Sequence, residues 1–103
     1  VPAILKMIRK SEQIEFNKGD YIFKEGDPGD ALFIILKGSV KVSKKNEKGL
    51  DIAQTYIPAG NYVGEMAILS DGLRSASISA AVRCEMLKIS KEIFNEFLSA
   101  YSL

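Results

Sequence analysis

Between Lys18 and Gly72 the chain meets a glycine-centred turn at short intervals. The markers are Lys18-Gly19-Asp20, Gly26-Asp27-Pro28-Gly29-Asp30, Lys37-Gly38-Ser39, Lys48-Gly49, Pro58-Ala59-Gly60-Asn61 and Ser70-Asp71-Gly72. A long helix cannot persist through such punctuation, whereas short strands joined by tight turns can. Strands are expected at Gln13–Phe16, Tyr21–Phe23, Ala31–Leu36, Ser39–Lys44, Asp51–Tyr56, Ser75–Ala80 and Arg83–Ile89, the pattern of a β-sandwich or roll. Gly19, Gly26 and Gly38 read as turn residues with positive φ, and Asp27 and Asp30 as turn chemistry rather than a calcium loop.

The ends differ from the middle. Pro2 stands near a helix start, and Ile4, Leu5 and Ile8 recur at helical spacing, predicting a short amphipathic helix that packs on the rest of the chain. After Ile89 the helical period returns, with Ser90 as N-cap and Ile93, Phe94, Phe97, Leu98 and Tyr101 along one face. The expected organisation is one domain over residues 1–103, mainly β with flanking helices: an N-terminal helix over 1–12, β structure over 13–89 and a C-terminal helix over 90–103.

Composition removes several functions. With no histidine and one cysteine, Cys84, the chain lacks the residues for histidine triads, typical zinc sites, histidine-ligated haem or its own iron–sulfur cluster. No metal site and no catalytic residue are therefore expected. Cys84 lies in the expected strand segment Val82–Leu87 as a small buried side chain, and a lone cysteine makes no internal disulfide, so a reducing, cytoplasmic setting is the expectation. A net charge of +1 argues against direct nucleic-acid binding; Lys37, Lys41, Lys44, Lys45 and Lys48 read as the solvated face of one hairpin. The longest apolar run, Ala31–Leu36, has six residues, too few for membrane insertion, and no signal-peptide pattern opens the chain.

Chemistry concentrates in Gly64-Glu65-Met66-Ala67-Ile68-Leu69 and Arg74-Ser75-Ala76-Ser77. Good helix formers after Gly64 predict a short helix whose first turn presents free N–H groups, including that of Ala67, to an anion. Arg74 supplies a planar cationic fork for phosphate oxygens, and Glu65, which accepts hydrogen bonds, suits a sugar hydroxyl. A plain Glu65–Arg74 salt bridge is the simpler alternative, worth only about 0–1 kcal/mol if exposed.

These segments resemble the phosphate-binding cassette of the cyclic-nucleotide-binding domain family, which includes catabolite activator proteins, protein kinase A regulatory subunits and cyclic-nucleotide-gated channels. Upstream, Phe16–Phe23, Glu25–Asp30 and Leu32–Val42 follow the family pattern in order, so the similarity runs from about Gln13 to the C-terminal helix. The resemblance implies a double-stranded β-roll of jelly-roll type with a cassette over 63–78. It implies a cyclic nucleotide, cAMP or cGMP, as ligand rather than a cofactor, at Val63, Gly64, Glu65, Met66, Ala67, Arg74, Ser75 and Ala76. Gly64 and Glu65 would hold the ribose 2′-OH, and Arg74 the exocyclic phosphate oxygens with the N–H groups of Ala67 and Ser75. Met66 would line the ribose end, and Ala76 would keep the strand close to the ligand.

Leu73 stands where many members have proline, implying a less rigid approach to Arg74. Ser75 leaves the base preference open, since its hydroxyl could contact either the phosphate or the edge of a syn guanine, but it replaces the threonine often associated with cGMP, and cAMP is the leading expectation. The resemblance further implies that the C-terminal helix moves on binding, through Phe94, Phe97 and Leu98 against Ile68 and Leu69. The sequence reaches Leu103 before the helix that usually supplies the lid and often a dimer interface. With Val1 in place of methionine, a piece of something longer is expected, and an effector domain or homodimer remains open. A regulatory sensor without chemistry of its own is the leading reading. A degenerate structural or dimerising roll is the alternative, and a cupin-type enzyme is disfavoured by the lack of histidine ligands.

Overall fold

The computed structural model describes residues 2–70 and 72–101; of the positions singled out in the sequence, Val1, Asp71, Leu103 and the side chains of Leu69, Ser70 and Tyr101 lie outside them. In chain order the elements are α1 (Ala3–Arg9), β1 (Glu12–Phe16), β2 (Tyr21–Phe23), β3 (Ala31–Lys37), β4 (Ser39–Lys45), β5 (Asp51–Pro58), β6 (Tyr62–Val63), α2 (Glu65–Ser70), β7 (Ser77–Ala80), β8 (Cys84–Ser90) and α3 (Lys91–Tyr101). Two antiparallel four-stranded sheets, ordered β1-β8-β3-β6 and β2-β7-β4-β5, form the β-roll, with α2 inserted between β6 and β7. Gly19, Gly26 and Gly38 all have φ near +90°, as the turn pattern requires.

The apolar run at Ala31–Leu36 has a physical explanation in its two buried faces. Ala31, Phe33 and Ile35 point into the main core with Val40, Val63, Ile78, Ala80, Cys84 and Met86. The alternate residues Leu32 and Ile34 point outward, into a second cluster with Ile68 of α2, Leu87 and Ile89 of β8, Met7 of α1 and Ile93, Phe94 and Phe97 of α3. A strand covered on both sides loses the polar alternation of a solvated one. Cys84 is fully buried at the start of β8, with its thiol donating to the carbonyls of Ser39 and Val82.

Four expectations are revised. The N-terminal helix buries Met7 and leaves Ile4, Leu5 and Ile8 exposed, because it is held against α3 on the Met7 side. On α3, Leu98 is exposed and takes no part in the cluster that holds Ile93, Phe94 and Phe97. The strand expected from Ser75 begins at Ser77, since the main chain at Arg74 is bonded instead to the 26–27 turn and bends at Ser75 and Ala76. Two residues, Tyr62 and Val63, form a strand too short to carry a period. The expected N-cap is present: the Ile93 N–H donates to Ser90 Oγ at 3.2 Å.

Surface charges join the elements. Glu15 and Glu85 face each other across β1 and β8, and Arg83 bridges them at 2.9 and 3.1 Å, offsetting the repulsion of like charges directly opposite. Lys10, the residue after α1, and Glu96 of α3 pair at 2.8 Å. Hydrogen bonds from Arg83 and Lys10 lower the carboxyl pKa values of Glu85 and Glu96, respectively, below the usual range. A lowered folded-state pKa gives stability that is complete above the unfolded value and lost as pH falls through the folded one. Denaturant unfolding measured from about pH 6 to about pH 3 should therefore show falling stability, with a shallower slope in the Glu85→Gln, Glu96→Gln double variant.

Candidate functional site

Arg74 is the least expected side chain in the interior: a permanent cation only 4% exposed. Its Nη1 donates to the Gly64 carbonyl at 2.8 Å and its Nη2 to the Ala31 carbonyl at 2.6 Å. Asp30 Oδ1 lies 3.8 Å from Nη2, and the guanidinium carbon sits 4.0 Å from the centroid of the Phe23 ring. Burial pulls the guanidinium pKa down from its ordinary value while Asp30 and Asp27 oppose the shift; an arginine so placed remains charged. Among the described residues Nε, although buried, has no hydrogen-bond partner. A buried donor left unpaired in this way costs about 1–3 kcal/mol, so it marks a position where an acceptor would be stabilising.

The main chain fixes that side chain from both ends. Arg74 donates its N–H to the Asp27 carbonyl at 2.7 Å and accepts from the Gly26 N–H at 2.8 Å, while Leu73 bridges Pro28. The restraint that a proline at Leu73 would provide comes instead from these bonds to the turn between β2 and β3. Asp27 shapes this turn through its carboxylate, which accepts the Lys24 N–H at 3.0 Å, as turn chemistry requires. Asp30 does more than shape the turn, because its carboxylate faces the guanidinium.

Two glycines set the close approaches. A Cβ at Gly64, where φ is +91°, would stand 2.7 Å from Arg74 Nη1, so a side chain there would meet the guanidinium as well as backbone strain. At Gly29 a Cβ would fall inside van der Waals contact with the Ala67 Cβ. The β2–β3 turn therefore presses directly on the first turn of α2.

The eight residues expected at the site line one pocket of about 320 Å³. Val63 and Ala67 are buried, Gly64, Glu65 and Ala76 half-buried, and Ser75 exposed; Met66, at 71% exposure, lies at the rim. Glu65 opens α2, where its own N–H and those of Met66 and Ala67 precede the first intrahelical bonds. Among the described residues Glu65 and Arg74 form no ion pair, which removes the simple salt-bridge alternative. An anion-favouring fork and an acceptor carboxylate thus share one pocket without cancelling each other.

Sequence reasoning missed the apolar half of the lining: Phe23, Val42, Ile57, Tyr62, Leu73 and Ile78. Phe23, Val42 and Ile78 lay on expected strands, but nothing local distinguishes a strand residue facing a pocket from one facing the core. Tyr62 belongs to the two-residue strand. No cluster of histidine, cysteine or carboxylate side chains able to hold a metal occurs among the described residues.

A β-roll with a helix inserted beside a buried arginine and a carboxylate defines a ligand-binding regulatory module. Residues 13–101 match the cyclic nucleotide-binding domain family, and the chain belongs to that family. It is 40% identical over 103 residues to human cGMP-dependent protein kinase 2, covering 95% of this chain and 13% of the kinase. It is 34% identical over 100 residues to the human potassium/sodium hyperpolarization-activated cyclic nucleotide-gated channel 4, covering 97% of this chain and 8% of the channel. The regulatory domain of Toxoplasma gondii protein kinase A, solved with cAMP, superimposes with a TM-score of 0.84 at 26% identity, over 90% of this chain and 36% of that one. Such relatives carry the module within much longer proteins. No described helix is long and apolar enough to cross a membrane.

The glycine contacts yield a test. Gly29→Ala should destabilise the fold by about 1–3 kcal/mol in denaturant unfolding, because the new methyl overlaps Ala67. Gly19→Ala has open space around its Cβ and should cost only the positive-φ strain, on the order of 1 kcal/mol.

Proposed function

We propose that the pocket binds a 3′,5′-cyclic purine nucleotide and that this domain relays the binding to whatever it is joined to. The observation that carries the reading is the buried Arg74 guanidinium with its unpartnered Nε, in one pocket with Glu65 and the start of α2. In this reading Arg74 keeps its bonds to Gly64 and Ala31, which aim the fork, and offers remaining N–H groups to the exocyclic phosphate oxygens. Ala67 and Ser75 add backbone N–H donors. Glu65 and the Gly64 backbone take the ribose 2′-OH, Met66 and Val63 bound the sugar, and Ala76 keeps the strand close to the ligand.

The base occupies the apolar end of the pocket, between Val42, Ile57, Tyr62, Leu73 and Ile78. Desolvating a purine edge there is less costly for adenine, with its single exocyclic amino group, than for guanine with an amino group and a carbonyl. This favours cAMP over cGMP, with Ser75 and Tyr62 the two lining residues that offer a side-chain hydroxyl to either. The kinship with a cGMP-dependent kinase makes the comparison worth measuring directly.

The relay runs through Ile68. This α2 residue is buried in the same cluster as Met7 of α1, the cluster against which Phe94 and Phe97 of α3 pack. A ligand that displaces α2 changes that packing, and it shifts the helices only as far as it binds the displaced state more tightly. A domain of this kind acts inside the cell, where cyclic nucleotides are made, and a kinase, channel or transcription factor joined to it would be the effector. The degenerate, non-binding alternative is disfavoured by the convergence of the cassette residues on one pocket.

Calorimetric titration with cAMP and cGMP tests the assignment. One-to-one binding is expected, tighter for cAMP. Arg74→Ala should weaken it by about 100-fold, equivalent to about 2.8 kcal/mol, with Arg74→Lys intermediate because the ammonium lacks the fork. Glu65→Gln should weaken binding less than Arg74→Ala. Absence of binding by the folded wild-type chain at about millimolar nucleotide would sink the proposal.

A further inference from the structure

The sheet that forms one wall of the nucleotide pocket carries a second groove on its opposite face. Val42, Ile57 and Ile78 face the pocket, and their neighbours Lys41, Tyr56 and Ser79 on the same strands face away from it. Register places four of the outward residues in one row across the sheet: Tyr21 opposite Ser79, Ser79 opposite Lys41 and Lys41 opposite Tyr56. Together with Lys18 they line a groove of about 310 Å³, floored by small Ser79 and flanked by tyrosines that are 43% and 60% exposed.

The groove is cationic. Among the described residues neither Lys18 nor Lys41 forms an ion pair, and no carboxylate lines the groove. Lys24 adds a third cation, its Nζ lying 5.0 Å from the Tyr21 ring centroid. Two acids stand nearby outside the lining: Asp51 accepts the Tyr21 hydroxyl at 2.9 Å, and Asp20 accepts the Asn17 N–H at 2.8 Å. The bond from Tyr21 reaches from one edge strand to the other and holds its ring in place without ordering cost on binding. Exposed tyrosines are enriched where proteins recognise one another, and the two lysines beside them give this face the charge to select an anionic partner.

We propose that this face docks an extended acidic peptide segment of a partner protein, with its carboxylates on Lys18 and Lys41 and its apolar parts on Tyr21 and Tyr56. An acidic peptide is favoured over single-stranded nucleic acid because the domain carries a net charge of only +1 and lacks the broadly basic surface along which a phosphate chain is bound. The site is separate from Arg74, so a partner held here does not compete with the nucleotide.

The test is an NMR titration of the 103-residue chain with a capped oligoglutamate peptide of about six residues, enough to span the roughly 14 Å of four strands. Saturable shifts at Tyr21, Lys41, Tyr56 and Ser79 are expected, weakening with added salt. Lys41→Glu and Tyr56→Ala should each weaken binding at least about tenfold, while Lys45→Glu on the hairpin tip changes it less than about twofold. The proposal is overturned if the peptide does not bind, if Lys45→Glu weakens it as much as Lys41→Glu, if cAMP displaces it, or if oligothymidine of similar length binds the same residues more tightly.

Discussion

A cation removed from water organises this domain. Arg74 is buried among main-chain carbonyls, an aromatic ring and a carboxylate that come from three stretches of chain: Gly64 before α2, Phe23 on β2, and the adjacent Asp30 and Ala31 where the turn after β2 enters β3. Isolating a charge in the interior is costly unless its donors are met. Meeting most of them draws the cassette, the turn and the β3 strand to one point. Among the described residues one donor, Nε, is still unmet.

Small residues make that convergence possible. Gly64 lets the guanidinium reach a carbonyl that any side chain would block, and Gly29 brings the β2–β3 turn against Ala67. Pocket and turn are therefore one packed unit. The α2 helix meets the turn at the Ala67 methyl and the helix-side cluster at Ile68, two contacts that share no side chain.

Much of this was legible in the chain. The glycine markers placed seven of the eight strands, and the eight site residues read from the cassette come together around one pocket. Legibility failed where the deciding contact is remote in sequence. Ile4, Leu5 and Ile8 have a convincing helical period, yet the choice of Met7 was made by α3, about ninety residues away. Ser75 and Ala76 have strand-compatible neighbours, but their backbone direction is set by the bonds between Arg74 and the 26–27 turn. Tyr62 and Val63 are too few to show alternation, and only their pairing with Ile34 and Phe33 makes them a strand.

The double-sided burial of β3 has a consequence for register. Successive residues of this strand belong alternately to the inside of the roll and to the seam beneath the helices, so Leu32 and Phe33 sit in different clusters although they are adjacent. A slip of one residue would exchange the two sets, putting Phe33 beneath the helices and Leu32 inside the roll. Both sets are apolar, so hydrophobicity alone would tolerate the exchange; shape and the Ala31 carbonyl would not, because only the native register presents that carbonyl to Arg74. The arginine that equips the pocket also acts as the index mark by which the central strand finds its alignment.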